Sequence, residues 1–258
     1  MITLFDIPST IGTWSPNVWR TRFTLDYKNI LYKVEWVEYP DIASTLQSHG
    51  IGPGGRKPDG SPYYSVPAII DVDDETGKVK KALADSVEIA KYLDEAYPDT
   101  PKVLPEDGKE LESVLGFANG LIRLWVPVFM IVCKAMLPQL HPPSREFFSR
   151  VRAKDAQQFY PGYETIEDIP FSKEDKEAAW KAFKDSFTKG LAAHENLVQG
   201  KWFLGEGRIG FADFVIGGVL LWLKTVFGEE SEEWKDMSQW DGGRWKTFVD
   251  GLKEYQKA

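Results

Sequence analysis

The spacing of apolar residues changes character once along this chain, near residue 104. Before that point the apolar residues come in short runs. Ile2 to Asp6 ends in turn residues, and Tyr32 to Val37 is rich in aromatic and β-branched side chains; both predict strands. Between them Ser15-Pro16 opens a stretch to about Tyr27, with Ser suited to the N-cap and Pro to the first helical position. The order predicts a βαβ unit with a parallel strand pair. Gly50 to Tyr64, dense in Gly and Pro with a turn at Asp59-Gly60, predicts an extended loop. Val66 to Val72 reads as a buried strand, Asp73 to Gly77 as a turn and Lys78 to Leu83 as the antiparallel partner. From Asp85 the residues Val87, Ile89, Ala90, Leu93 and Tyr97 fall at helical spacing, with Asp85 and Glu88 placed as a capping box.

Pro98, Pro101 and Pro105, mixed with charges, make the most convincing linker. Beyond it every patterned stretch has the helical period: 108 to 138, 144 to 160, 173 to 199, 211 to 227 and 243 to 256. The fold class expected is α/β followed by all-α, divided as residues 1–103 and 104–258. The longest apolar runs, Leu124 to Cys133 and Phe214 to Leu223, are each ten residues, against roughly 20 for a bilayer span. They read as buried core helices, and no membrane partner is expected.

Composition narrows the chemistry. At 258 residues with 43% hydrophobic and 27% charged side chains, the chain can bury full cores without staples. Its one cysteine, Cys133, rules out an internal disulfide, and no cationic segment followed by an apolar stretch opens it, so a cytoplasmic address is expected. A net charge of -8 removes the broad positive field of a nucleic-acid binder. A small anion can still be held by a few cations and backbone N–H groups.

Several kinds of site fail on spacing. His194-Glu195 is followed by Val198 where a zinc-binding helix needs a second His, and His49, His141 and His194 lie far apart, so no metal is expected. In Gly50 to Lys57 a phosphate cradle is approximated, but Pro58 stands where Ser or Thr is required. No Cys-x-x-Cys exists for dithiol chemistry, and Cys133, inside an apolar helix, reads as a buried inert thiol.

Three segments remain: Ser15-Pro16-Asn17-Val18-Trp19-Arg20, Ser65-Val66-Pro67-Ala68-Ile69-Ile70 and Ala84-Asp85-Ser86-Val87-Glu88-Ile89. Singly they read as a helix start, a strand edge and a helix cap. In this order, with the linker and the Gly-x-x-Asp-Phe segment at Gly210 to Phe214, they resemble the glutathione transferases over essentially the whole chain. The run from Thr13 to Arg22 and the loop from Lys57 to Tyr64 are most similar to the fungal FuA class, relatives of bacterial glutathione-dependent β-etherases. One departure is Gly210, where many members carry Ser or Thr as the cap partner of Asp213.

The resemblance implies a thioredoxin-like glutathione-binding domain joined to a helical bundle, a homodimer, and glutathione as cosubstrate. It implies that Ser15 stabilises the glutathione thiolate, aided by the helix N-terminus. The residues alone favour Ser15 as an ordinary N-cap, with Thr13 and Asn17 as neighbouring candidates. Val66 would precede a cis Pro67 and face the cysteinyl unit, while Asp85 and Ser86 would take the γ-glutamyl ammonium and carboxylate. Arg56 or Lys57 would meet the glycyl carboxylate. Trp125 and Phe129, one helical turn apart, would wall the site of an aromatic or phenolic electrophile, or belong to the core. The activity implied is thiolate attack on such electrophiles by conjugation, thiolysis or peroxide reduction; the alternative is a ligandin that binds aromatic compounds such as polyphenols.

Overall fold

A computed structural model describes residues 1–57, 59–200 and 202–257; Pro58, within the loop discussed above, lies outside the described residues. The first half runs β1 (Ile2–Asp6), α1 (Pro16–Tyr27), β2 (Tyr32–Trp36), a 3-10 turn (Tyr39–Asp41), α2 (Ile42–Ser48), β3 (Gly55–Arg56), β4 (Pro62–Tyr63), β5 (Ala68–Val72), β6 (Val79–Ala84) and α3 (Ser86–Ala96). The main sheet has the order β2-β1-β5-β6. β1 pairs parallel with β2 and antiparallel with β5, and β6 closes one edge antiparallel to β5. This is a thioredoxin-like domain. All five residues of β1 are buried, as a central strand covered on both faces requires. β6 begins with exposed Val79, Lys80 and Lys81, and such lysines blunt a sheet edge against further pairing.

The loop expected from Gly50 to Tyr64 contains a small antiparallel pair, Gly55 opposite Tyr63 and Arg56 opposite Pro62. Asp59 organises its turn by accepting from the Ser61 N–H at 2.9 Å and hydroxyl at 2.6 Å. Two-residue strands are too short to show a period.

The second half is helical: α4 (Gly108–Gly120), α5 (Ile122–Met136), α6 (Pro142–Asp155), α7 (Lys173–Ala192), α8 (Glu195–Val198), α9 (Phe211–Phe227), α10 (Glu232–Met237) and α11 (Trp240–Gly251). α9 is the central helix, with Phe214 to Leu223 wholly buried as expected. α5 differs from the expectation. Trp125, Val128, Val132, Cys133 and Met136 are buried, but Ile122 and Val126 are 53% and 57% exposed. The near-continuous helical run Gly108–Gln139 is as long and apolar as a membrane span, yet its buried side packs in the bundle, with α5 against α7 and α9.

Two contacts tie the linker to the halves on either side of it. Asp94 of α3 accepts from buried Lys28 Nζ at 2.7 Å and from the N–H groups of Val103 and Leu104 in the linker. Val103 in turn accepts from the Phe211 N–H at 2.9 Å, at the start of α9. The departure at Gly210 has a steric cause here: a Cβ at that position would lie 2.8 Å from the Val103 carbonyl oxygen. Half of the capping box survives, because Asp213 still accepts from the Gly210 N–H at 3.0 Å, and it also accepts from the Phe203 N–H at 2.8 Å.

Candidate functional site

The strand register assembles the site. Phe5 pairs with Ala68, and Ala68 with Ala84, so the loop after β1, the turn before β5 and the start of α3 leave the sheet at one end. Gly54 brings a fourth segment there: a Cβ on it would lie 3.6 Å from Ala84 Cβ and 3.7 Å from both the Asp85 nitrogen and the Ser65 hydroxyl. Ser15, Val66-Pro67 and Asp85-Ser86, far apart in sequence, thus share one edge.

Ser15 is the N-cap of α1, with φ -63° and ψ 121°, and is 6% exposed. Its hydroxyl oxygen accepts from the Val18 N–H at 3.5 Å, the outer limit of a hydrogen bond. The cap role and the donor role coexist, since a hydroxyl that accepts from the backbone keeps its proton to donate. No acidic residue occupies the first turn of α1, so the positive end of its dipole stays open to an anion.

Thr13 is turned the other way. Its hydroxyl donates to Asp6 Oδ2 at 3.4 Å, in a buried knot where Asp6 also accepts from the Ile7 N–H at 2.8 Å and from Arg22 Nε and a terminal guanidinium nitrogen at 3.1 and 2.9 Å. Burial pushes the Asp6 carboxyl up, opposed by the Arg22 charge. The knot ties the loop that carries Ser15 to both β1 and α1. Asn17 is exposed on the first turn of α1.

The Val66-Pro67 bond is cis. The N–H and C=O of Val66 lie outside the β5 ladders and have no partner among the described residues, so they remain available to an extended peptide. The Pro67 carbonyl accepts from the Asp85 N–H at 3.2 Å. Asp85 sits at φ +83°, a region that non-glycine residues seldom occupy. Its Oδ1 caps α3 by accepting from the N–H groups of Val87 and Glu88 at 2.8 and 3.2 Å, while Oδ2 makes no hydrogen bond among the described residues. The expected capping box is half formed: the Asp85 N–H is taken by Pro67, and Glu88 pairs with Lys91 at 2.8 Å. Ser86 is buried at the first position of α3.

Of the two basic loop candidates, Arg56 is engaged locally, donating to the Gly60 carbonyl at 2.9 Å. Lys57 has an exposed side chain, and its N–H bonds the Ser61 carbonyl. A third cation, absent from the sequence-based expectation, joins them. Arg20 of α1 is partly buried and its Nε has no partner among the described residues. Burial brings its guanidinium down to about 10, with the Asp85 charge acting in the opposite sense. The signal available in sequence is its place three residues after Asn17, on the same polar face of an otherwise buried helix.

Trp125 and Phe129 meet edge to face with ring centres 6.2 Å apart. Both also contact Trp222 of α9, Trp125 at 4.8 Å. Trp125 is only 4% exposed and belongs to the layer between α5 and α9; Phe129 is the more accessible ring. Cys133 is enclosed, and burial pushes its thiol up to about 12.

A thioredoxin-like domain with a cis-proline edge and a serine-capped helix, followed by a helical bundle, defines a class. The family model of the glutathione S-transferase N-terminal domain matches residues 14–96, and that of the C-terminal domain matches residues 121–255. The chain belongs to the glutathione S-transferase family. It is 30% identical over 250 residues to the glutathione S-transferase-like protein ustS of Aspergillus flavus, covering 94% of this chain and 84% of that protein. Among solved structures it is similar to a glutathione S-transferase of Ceriporiopsis subvermispora in complex with glutathione, at 38% identity and a TM-score of 0.83, covering 100% of this chain and 98% of that one. It is likewise similar to the glutathione transferase GSTFuA2 of Phanerochaete chrysosporium, at 33% identity and a TM-score of 0.82, with 100% and 98% covered.

Proposed function

We propose that this protein is a serine-type glutathione transferase acting on hydrophobic, aromatic or phenolic electrophiles. The observation that carries the reading is the buried Ser15 hydroxyl at the open N-terminus of α1, beside the unpaired backbone edge of Val66. Ser15 donates to the glutathione sulfur and, with the helix dipole, holds it as thiolate at neutral pH. Val66 pairs with the cysteinyl backbone. The free Oδ2 of Asp85 takes the γ-glutamyl ammonium, while Ser86, the α3 N-terminus and Arg20 take the adjoining carboxylate. Lys57 is left for the glycyl carboxylate, since Arg56 is occupied on its own loop.

The thiolate then attacks the electrophilic centre, in conjugation, thiolysis or peroxide reduction, on the side of the cleft facing residues 104–258. Partly exposed Phe129, backed by buried Trp125 and Trp222, supplies an aromatic ring to that side. The exposed apolar side of α5, with Ile122 and Val126, supports assembly as a homodimer. A cytoplasmic location goes with this reading.

The test is a crystal soak with glutathione. The expected result is the tripeptide along Val66 with its sulfur about 3 Å from the Ser15 hydroxyl, a hydrogen-bond distance lengthened for sulfur. A sulfur placed nearer Asn17 or away from α1 overturns the assignment. Bound glutathione with no turnover of any electrophile favours the ligandin.

A further inference from the structure

Next to Ser15 along the chain, Trp14 is 3% exposed and packs into a cluster built by both halves of the molecule. Its ring lies 6.3 Å from that of Tyr39 and meets Phe148 of α6 edge to face at 6.1 Å. Tyr39 lies 5.2 Å from Phe148, and the Arg152 guanidinium carbon stands 5.4 Å from the centre of the Phe148 ring. The rim is formed by Tyr63 of β4 and Phe147, which are 43% and 37% exposed.

The polar inventory here is one-sided. The Trp14 Nε1–H and the Arg152 Nε–H are both buried without a partner among the described residues. The Tyr39 hydroxyl also makes no hydrogen bond among them, and Arg152 acts electrostatically on both Tyr39 and Cys133. Its only anionic partner among the described residues is Asp155, at 3.0 Å from a different guanidinium nitrogen and half exposed to solvent. Buried donors left without acceptors carry an uncompensated desolvation penalty, which an oxygen-bearing ligand removes. Arg152 and the phenolic hydroxyls of Tyr39 and Tyr63 are the groups that a negatively charged oxygen on an aromatic ring would meet.

Resting on the glutathione reading above, we propose that Arg152, with Tyr39, selects aromatic electrophiles that carry an anionic oxygen, a carboxylate or phenolate, and holds them at the exposed rim of this cluster, whose Trp14 directly precedes Ser15. With a chloroarene as probe, the sulfur of glutathione forms a bond to the chlorine-bearing ring carbon. The carbon–chlorine bond breaks and chloride leaves with the bonding pair, so no oxidant is needed.

The test compares 4-chloro-3,5-dinitrobenzoate, which is anionic, with neutral 1-chloro-2,4-dinitrobenzene. In Arg152→Met the ratio of kcat/KM for the anionic over the neutral electrophile falls roughly tenfold, the scale of one lost charged hydrogen bond, and Arg152→Lys restores part of it. An unchanged ratio overturns the proposal. Should Arg152→Met fail to fold, calorimetric titration of the wild-type protein with 3,5-dinitrobenzoate and 3,5-dinitrobenzamide decides: the benzoate binds about tenfold more tightly, and equal affinities overturn the proposal. This second arm needs no turnover. Failure of the transferase reading would show separately, as absent conjugation of the neutral electrophile by the wild-type protein.

Discussion

The Pro16 carbonyl oxygen lies over Gly218 of α9 so closely that a Cβ on Gly218 would stand 2.4 Å from it. The first turn of α1, which Ser15 caps, therefore rests directly on the central helix of the bundle. Gly218→Val must push α1 off α9. The expected cost is about 1–3 kcal/mol from overpacking, seen as a lower thermal midpoint, together with a fall in turnover that exceeds the loss of folded protein. A variant with wild-type stability and activity would show that α1 does not depend on this contact.

Arg20→Met removes the unpaired cation beside Asp85 without disturbing the Arg22–Asp6 pair. Its KM for glutathione should rise roughly tenfold, the scale of one charged hydrogen bond, while the KM for a neutral electrophile stays close to wild type. An unchanged glutathione KM would remove Arg20 from the γ-glutamyl pocket.

Much of the first half was legible because its signals are local. Ile2 to Asp6 is a buried run and formed β1, and Asp85 is a cap residue and capped α3. What escaped depends on tertiary partners. Glu88 could not complete its box because Pro67, brought in by the sheet register, already holds the Asp85 N–H. Arg20 gained meaning only when α3 placed Asp85 nearby. The exposed side of α5 was invisible because an apolar run does not reveal which of its faces a neighbour covers. The six-residue α10, Glu232–Met237, is too short for a helical period to register.

Cys133 should be silent in the native protein. Its thiol is enclosed and pushed up to about 12 by burial, so an aromatic disulfide reagent at pH 8 should modify no thiol in the folded chain and one after denaturation. Rapid native labelling would contradict the packing of α5 against its neighbours.

Asp213 gives the stability a pH dependence. Burial raises its carboxyl to about 7 from 3.8, against the pull of the Phe203 and Gly210 N–H groups. The folded state thus retains a proton that the unfolded chain releases between about pH 4 and 7, and the contribution of Asp213 to stability falls as pH rises through that window. Urea midpoints should decline from pH 5 to pH 8, and Asp213→Asn should flatten the decline. An equal slope in the variant would place its origin elsewhere.

The role of Ser15 is tested most directly by steady-state turnover of Ser15→Ala with glutathione and 1-chloro-2,4-dinitrobenzene at neutral pH. Loss of the single thiolate donor should lower kcat/KM by about one to two orders of magnitude, with glutathione still bound through Val66, Asp85 and Ser86. Turnover equal to wild type would contradict the assignment of Ser15 as the group that holds the thiolate.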